Sequence, residues 1–192
     1  MAKLVVYPEA SPGRPSVSSS DPLEIAAHLA RIGVTYEQWT ANAPLPADAD
    51  QDAVLRAYAA DVDRIKAQGF GTVDVIRMAG DFGDEAFLAK AAEARQKFLA
   101  EHTHDDDEVR FFVEGSGAFY LRVNGSVHVV VGEAGDYIFV PKNTKHWFDM
   151  GSRPRFAAIR FFALPEGWVG RFTGDAIASG FPNYEDVVAA VC

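Results

Sequence analysis

The order of hydrophobic and polar residues changes character at about residue 100. Before that point, apolar residues recur at helical spacing in three segments, which predict helices over 21–33, 50–69 and 84–99. Each segment begins with an aspartate, a residue that favours the N-cap of a helix. Alternating runs predict strands at 4–7, 35–39 and 72–78, and the residues rich in Pro and Ser at 8–20 predict an irregular surface loop.

After residue 100 the pattern consists of short apolar runs separated by turns. These runs predict strands at 109–113, 118–123, 127–131, 137–140 and 156–162. Asn124-Gly125, between two of the runs, is a strong signal for a two-residue hairpin turn. Antiparallel strands joined by tight turns favour a small β-barrel, so we expect a mainly β fold with flanking α-helices. Near the C-terminus we expect a final turn or short helix.

A possible metal site lies at the start of the strand-rich part. His102, His104 and Glu108 form the spacing His-x-His-x3-Glu, and His146 follows 38 residues after Glu108. Side chains two residues apart in a strand point to the same face, so the first three converge if the turn at 105–107 preserves the register. Three imidazoles and one carboxylate suit a first-row divalent metal better than Ca2+ or Mg2+. They also leave coordination positions open, which indicates a catalytic site.

Other residues on the same strand face are candidates for the pocket around the metal. Arg110 shares the parity of Glu108, so its permanent positive charge would favour a negatively charged substrate. Phe112 and Phe148 also share the ligand parity, and with Trp168 they are candidates for an apolar wall around a substrate tail. Ordinary barrel core is the alternative role for these aromatic residues.

Length, net charge and cysteine content limit the classes of protein to which the chain can belong. The chain has 192 residues, of which 48% are hydrophobic, and this is enough for one sizeable core and one domain. Its net charge of −9 disfavours nucleic acid or an anionic membrane as a partner. The single cysteine, Cys192, excludes an intrachain disulfide, and we find neither a signal peptide nor a membrane-length apolar run. We therefore expect a cytoplasmic protein, with His28 on a partly exposed helix surface and His128 in a structural position.

Longer motifs resemble a known family. Gly115 after the first motif, and the order Gly135, Pro141, His146 in the second, resemble the two cupin motifs. Four runs are similar to the acireductone dioxygenase family of the methionine salvage pathway: 98–104 (FLAEHTH), 107–115 (DEVRFFVEG), 146–151 (HWFDMG) and 165–168 (PEGW). Asn143 stands where the generic second cupin motif has glycine, and it tolerates the same left-handed backbone conformation.

The resemblance implies a cupin double-stranded β-helix, a jelly-roll-like barrel, as a single domain over residues 1–192. In this division, residues 1–100 pack on the barrel, 101–164 form the metal-binding barrel core, and 165–192 form a C-terminal extension. It further implies one Fe2+ or Ni2+ per chain, held by His102, His104, Glu108 and His146. Arg110 would be the catalytic residue outside the ligand set. The resemblance also implies auxiliary roles for two residues. Glu101 would help metal incorporation, and Asp107 would relay local conformational change.

The implied activity is cleavage of the acireductone 1,2-dihydroxy-3-keto-5-methylthiopentene with O2. The resemblance implies formate and 2-keto-4-methylthiobutyrate as products of the iron form, and methylthiopropionate, formate and carbon monoxide as products of the nickel form. Acireductone and O2 would be the only partners, and we expect a monomer. Two alternatives stay open, namely a cupin sugar-phosphate isomerase with a similar metal site and a non-catalytic ligand-binding cupin.

Overall fold

The computed structural model describes residues 1–46, 48–164 and 169–190. Its strands are β1 (Lys3–Pro8), β2 (Val17–Ser19), β3 (Thr35–Gln38), β4 (Thr72–Met78), β5 (His102–Thr103), β6 (Glu108–Val123), β7 (Ser126–Glu133), β8 (Asp136–Val140), β9 (Lys145–Asp149), β10 (Phe156–Phe162) and β11 (Arg171–Phe172). Its helices are α1 (Pro22–Ala30), α2 (Gln51–Ala57), α3 (Ala59–Lys66), α4 (Glu85–Leu99), α5 (Tyr184–Ala189) and a 3-10 helix at Ile177–Gly180. Among the described residues, no helix has both the length and the apolar character needed to cross a bilayer.

Two antiparallel sheets share the long strand β6. One sheet has the order β11–β5–β9–β6–β7–β1–β2, and the other has the order β3–β8–β6–β10–β4. The first half of β6 pairs with β8 and β10, whereas its second half pairs with β7 and β9. This arrangement folds the two sheets over one another and encloses an inner core between them.

The predicted division of β6 into two strands, 109–113 and 118–123, is wrong, because the strand is continuous. Gly115 has a φ of +60°, and the register with β10 shifts between Ala157 and Ala158. A Cβ atom at Gly115 would lie 1.6 Å from the carbonyl oxygen of Arg155. Glycine therefore allows the strand to bend at a bulge and pass from one sheet to the other without ending.

The aspartates predicted to begin helices are confirmed as N-caps. Asp21, Asp50 and Asp84 each accept a hydrogen bond from a backbone N–H in the first turn of α1, α2 and α4. The single helix predicted over 50–69 is wrong, since Tyr58 leaves the helical conformation and separates α2 from α3. Its buried ring packs edge-on against Phe111, with 5.4 Å between the ring centroids. This tertiary contact is not visible in the helical spacing.

Several short strands were also missed, among them β2, β9 and β11. The predicted loop at 8–20 contains β2, which pairs with β1. The segment Lys145–Asp149 forms β9, although its mixture of charged and aromatic residues gives no alternating pattern. The hairpin at Asn124-Gly125 is confirmed, with positive φ at both residues, and α5 is the expected short C-terminal helix.

The helices cover the sheets in three places. α1 and α4 close the inner core, in which Leu29 and Ala91 pack with residues from both sheets. α2 and α3 cover the outer face of the second sheet. The C-terminal segment covers the outer face of the first sheet, where Phe181 lies against Trp147.

Candidate metal centre

Three histidines from neighbouring strands meet at one end of the inner core. His102 lies in β5 and His146 lies opposite it in β9, while His104 directly follows β5. Their ligand atoms lie within 4.8 Å of one another, and all three residues are buried. β9 reaches this position because it pairs with β5 on one side and with β6 on the other. The structure thus brings together the three histidines that the spacing suggested.

Each imidazole ring is oriented by a backbone carbonyl group. A carbonyl oxygen only accepts a hydrogen bond, so the ring nitrogen facing it carries the proton and the other nitrogen presents its lone pair. The Nδ1 to oxygen distances are 2.7 Å for His102 to Ala100, 3.1 Å for His104 to Val169 and 2.8 Å for His146 to Thr144. The three Nε2 atoms are therefore available as ligands.

Glu108 directs its carboxylate to the same point. Oε2 lies 2.7 Å from Nε2 of His146 and 3.4 Å from Nε2 of His104. Burial raises the pKa of Glu108, but its surroundings, with the cation of Arg110 first among them, outweigh burial and hold the pKa well below its usual range. The buried carboxylate oxygens of Glu108 and Nε2 of His146 make no well-formed hydrogen bond to the described residues. Buried acceptor atoms that lack a hydrogen-bond donor are suited to bind a cation.

A buried carboxylate that the sequence analysis did not single out fixes the turn between His104 and Glu108. Asp106 accepts hydrogen bonds from the backbone N–H groups of Ala163, at 2.8 Å, and Leu164, at 3.0 Å. These bonds attach the turn to the end of β10. Nothing in the local sequence distinguishes Asp106 from its two aspartate neighbours, because its partners lie far along the chain.

The next residue, Asp107, connects this turn to the one that precedes β9. Its Oδ1 accepts a hydrogen bond from the backbone N–H of Lys142 at 2.8 Å. In the same place the N–H of Asn143 donates to the carbonyl oxygen of His104 at 2.9 Å. Asn143 has a φ of +63°, the left-handed conformation expected there. The two turns that carry the ligands are thereby bonded directly to each other.

Glu101 is buried beside the first histidine. Its carboxylate lies 3.2 Å from Nη1 of Arg122 and accepts a hydrogen bond from the Thr173 hydroxyl at 2.7 Å. The Thr173 N–H also donates to the Glu101 carbonyl at 3.0 Å. Arg122 in addition forms ion pairs with Glu9 and Asp175. Glu101 therefore ties β5 to β6 and to the segment after β11, a network that spacing alone did not predict.

Arg110 lies beside the carboxylate, on the side predicted by strand parity. Its Nη2 is 2.7 Å from Oε1 of Glu108. The guanidinium carbon also lies 4.9 Å from the ring centroid of Phe119 and 4.5 Å from that of Phe148, within the range of cation–π contacts. Burial lowers the pKa of Arg110 and Glu108 opposes that effect. The group stays cationic because its intrinsic pKa is very high.

Two of the predicted pocket aromatics, Phe112 and Phe148, are buried in the inner core, and Phe148 in addition contacts Arg110. Trp168 lies outside the described residues. The structure adds Phe172, which the sequence analysis did not assign to the site, with its ring 5.7 Å from that of His102 and 61% exposed.

The two remaining histidines contact each other and lie outside the ligand cluster. Nε2 of His28 on α1 is 3.1 Å from Nδ1 of His128 on β7. Burial lowers the pKa of both, and the neighbouring imidazole lowers that of His128 further. The structural position expected for His128 agrees with this contact, although the pairing itself was not predicted.

Comparison with known proteins then identifies the family. The model of the ARD/ARD' family matches residues 4–170, which is most of the chain. The chain belongs to the ARD/ARD' family. This result confirms the resemblance drawn from the four sequence motifs.

Similar members of the ARD/ARD' family extend over nearly the full length. An acireductone dioxygenase of Parvibaculum lavamentivorans is 55% identical over 186 residues, covering 96% of this chain and 98% of that protein. One from Aquifex aeolicus is 48% identical over 189 residues, covering 98% and 99%. A solved acireductone dioxygenase from Bacillus anthracis, with a cadmium ion in its active centre, is 28% identical with a TM-score of 0.75, covering 90% of this chain and 98% of that one. These matches confirm the predicted mainly β cupin fold.

Proposed function

We propose that this member of the ARD/ARD' family is a metal-dependent dioxygenase that cleaves acireductone, 1,2-dihydroxy-3-keto-5-methylthiopentene, with O2. The observation that carries the proposal is the buried group of three imidazoles and one carboxylate beside the cation of Arg110. Its relatives named acireductone dioxygenase share about half of its residues over almost the whole chain, which supports the same activity here.

Four residues would hold the metal: His102, His104, Glu108 and His146. Their donor set of nitrogen atoms with one carboxylate suits Fe2+ and Ni2+, and the low pKa of Glu108 keeps the carboxylate ionised for binding. We propose one metal ion per chain. When bound, a divalent metal supplies Lewis-acid stabilisation to the negative oxygens of an enediolate.

The residues around this group prepare the pocket for an anionic substrate. Arg110 provides a fixed positive charge where the enediol loses its second proton, and such a charge is most effective where water is excluded. Phe119 and Phe148 pack on its guanidinium and exclude water from that side. We propose that Phe148 also contacts the apolar methylthio tail, together with Trp168. Phe112 would support this wall from the core.

We propose that metal identity decides the products. The iron-loaded protein would release formate and 2-keto-4-methylthiobutyrate, and the nickel-loaded protein methylthiopropionate, formate and carbon monoxide. The ligand set is the same in both cases, and the order of metal affinities favours Ni2+ over Fe2+ unless availability in the cell reverses it. Metal analysis of the purified protein paired with product analysis tests this point.

The decisive experiment separates binding from oxidation. Metal-loaded protein is mixed with acireductone without oxygen, and air is then admitted while substrate absorbance and O2 are followed. We expect binding without turnover in the first stage, followed by consumption of O2 and appearance of formate. Comparable product formation without oxygen would instead identify an isomerase-like cupin, and no turnover under either condition would identify a binding protein.

We further propose a monomer that forms one domain over residues 1–192. α1 and α4, from the first hundred residues, share the inner core with the barrel strands, which supports one folding unit. Light scattering of the metal-loaded protein tests the oligomeric state, and a single cooperative unfolding transition tests the domain assignment.

A further inference from the structure

A row of charged residues crosses the second sheet from the candidate metal centre towards solvent. Arg110 on β6 lies directly opposite Arg160 on β10, and Arg160 lies directly opposite Asp74 on β4. Residues opposite each other in antiparallel strands point to the same face, with Cβ atoms about 4.5–5.5 Å apart. The side chains of Arg160 and Asp74 therefore share the inner face with Arg110.

Exposure increases along this row. The side chain of Arg110 is 4% exposed, that of Arg160 is 23% exposed and that of Asp74 is 35% exposed. β4 is the last strand of this sheet order, so the row reaches solvent at its edge. These values indicate a charged path from the buried carboxylate Glu108 to the outside of the barrel.

Asp74 holds Arg160 in a defined orientation. Nε of Arg160 donates to Oδ1 of Asp74 at 2.7 Å, and Nη2 lies 2.6 Å from Oδ2. Two parallel bonds between guanidinium and carboxylate fix the plane of the cation. The order of the strands places the positive partner of this pair nearer to the metal centre.

We propose that Arg160, oriented by Asp74, is a second anion-binding residue of the substrate pocket, located at its mouth. It would attract the enediolate and contact its oxygens before and during binding beside Arg110. This inference rests on the proposed function, because it concerns the same anionic substrate. It adds a residue that determines affinity for that substrate, whereas Arg110 acts on ionisation at the reacting end.

The test compares four metal-loaded proteins, namely the unmodified chain, Arg160→Gln, Arg160→Lys and the double variant Asp74→Asn/Arg160→Gln. The double variant removes the positive charge of Arg160 and the negative charge of Asp74 together. It therefore leaves no carboxylate without its partner, which could otherwise prevent folding. Acireductone is titrated in without oxygen, and KM and kcat are then measured in air. We expect Kd and KM to rise about tenfold in both Gln variants, with metal content unchanged and kcat far less affected. Lys should restore part of the affinity, because it keeps the charge but not the planar fork.

A matched control lies on the same strand. Arg77 on β4 has the opposite parity and pairs with Glu114 at 2.9 Å, with side-chain exposures of 19% and 31%. The double variant Arg77→Gln/Glu114→Gln therefore removes a similar ion pair from the other face, and its KM should not change. Salt should weaken kcat/KM more in the unmodified protein than in Arg160→Gln.

An unchanged Kd and KM in the Asp74/Arg160 double variant would overturn the inference, as would an equal rise in the Arg77/Glu114 control. Failure of the proposed function gives a different result, because the unmodified protein would then neither bind acireductone nor consume O2 with it.

Discussion

At the scale of single residues, the candidate metal centre depends on groups whose protonation is set by their neighbours. Carbonyl oxygens at Ala100, Thr144 and Val169 accept from the ring Nδ1 atoms and leave Nε2 unprotonated. Arg110 keeps the neighbouring carboxylate ionised. The site is therefore prepared to bind a cation without first rearranging its hydrogen bonds.

Loss of a ligand should remove the metal. His104→Ala and Glu108→Ala each delete one of four donors, and we expect metal affinity to fall by more than about 100-fold, because even changes in the surrounding hydrogen bonds cost 10- to 100-fold. Metal content after dialysis against a weak chelator measures the effect. His28→Ala, outside the ligand cluster, is the control and should retain its metal. Full occupancy in both ligand variants would show that the assignment is wrong.

Loss of Arg110 should leave the metal and reduce turnover. Removing one charge-stabilising group from an enzyme site costs on the order of 2.7–4 kcal/mol of transition-state stabilisation, so Arg110→Ala should lose about 100- to 1,000-fold in kcat. Ultraviolet titration of bound acireductone across pH measures the ionisation midpoint, which we expect to move to higher pH in the variant. Arg110→Lys should recover part of the activity. A normal midpoint with normal turnover would show that Arg110 has only a structural role.

Local spacing predicted the site residues that lie close together in sequence. His102 and His104, and likewise Glu108 and Arg110, are two residues apart, so extended geometry brings each pair to one face, and the turn at 105–107 brings the two pairs together. Asp106 and Arg122 were not predicted, because their partners are distant in sequence and appear only after the sheets have formed.

At the scale of elements, the bend in β6 depends on one glycine. Gly115→Ala would place a methyl group against the backbone of Arg155, where no side-chain movement can relieve the overlap. We expect a loss of at least about 2 kcal/mol in the free energy of unfolding, measured by chemical denaturation. Gly13→Ala is the matched control, since no atom lies within 4 Å of its new methyl group. A Gly115→Ala protein as stable as this control would contradict the account of the bulge.

The elements themselves were predicted where local signals determine them. Asp21, Asp50 and Asp84 began helices as expected, because an N-cap acts within one turn. The break at Tyr58 and the continuity of β6 through Gly115 were not predicted, since both depend on contacts with other strands. Strand β9 was missed for the same reason. Its residues show no alternating pattern of their own, and the segment is a strand because it pairs with β5 and β6.

At the scale of the whole molecule, the contact between His28 and His128 should make stability depend on pH. The folded-state pKa of each histidine is lowered, first by burial, so the unfolded chain binds more protons as the pH falls below about 6.5. The stability that the neutral pair contributes is therefore present above that pH and is lost as the pH falls through the lower folded-state pKa values. Below that range two cations would face each other between α1 and β7.

Chemical denaturation between pH 7.5 and pH 5 measures this effect. We expect the free energy of unfolding to fall more steeply with acid in the unmodified protein than in the double variant His28→Gln/His128→Asn, which cannot titrate at these positions. Both proteins keep the three histidines of the candidate metal centre, so the difference between them isolates the His28–His128 pair. Equal slopes would show that the pair does not control acid stability.

The order of the candidate ligands along the chain also determines when each of them becomes available during translation. Glu108 is translated 38 residues before His146, and at 5–20 residues per second this interval lasts about 2–8 s. Until His146 has been added, the nascent chain contains two histidines and a carboxylate but lacks the fourth donor. β9 must then insert between β5 and the second half of β6 before all four donors meet. The four candidate donors can therefore meet only after the ribosome has delivered β9, which places the completion of this group late in the synthesis of the chain.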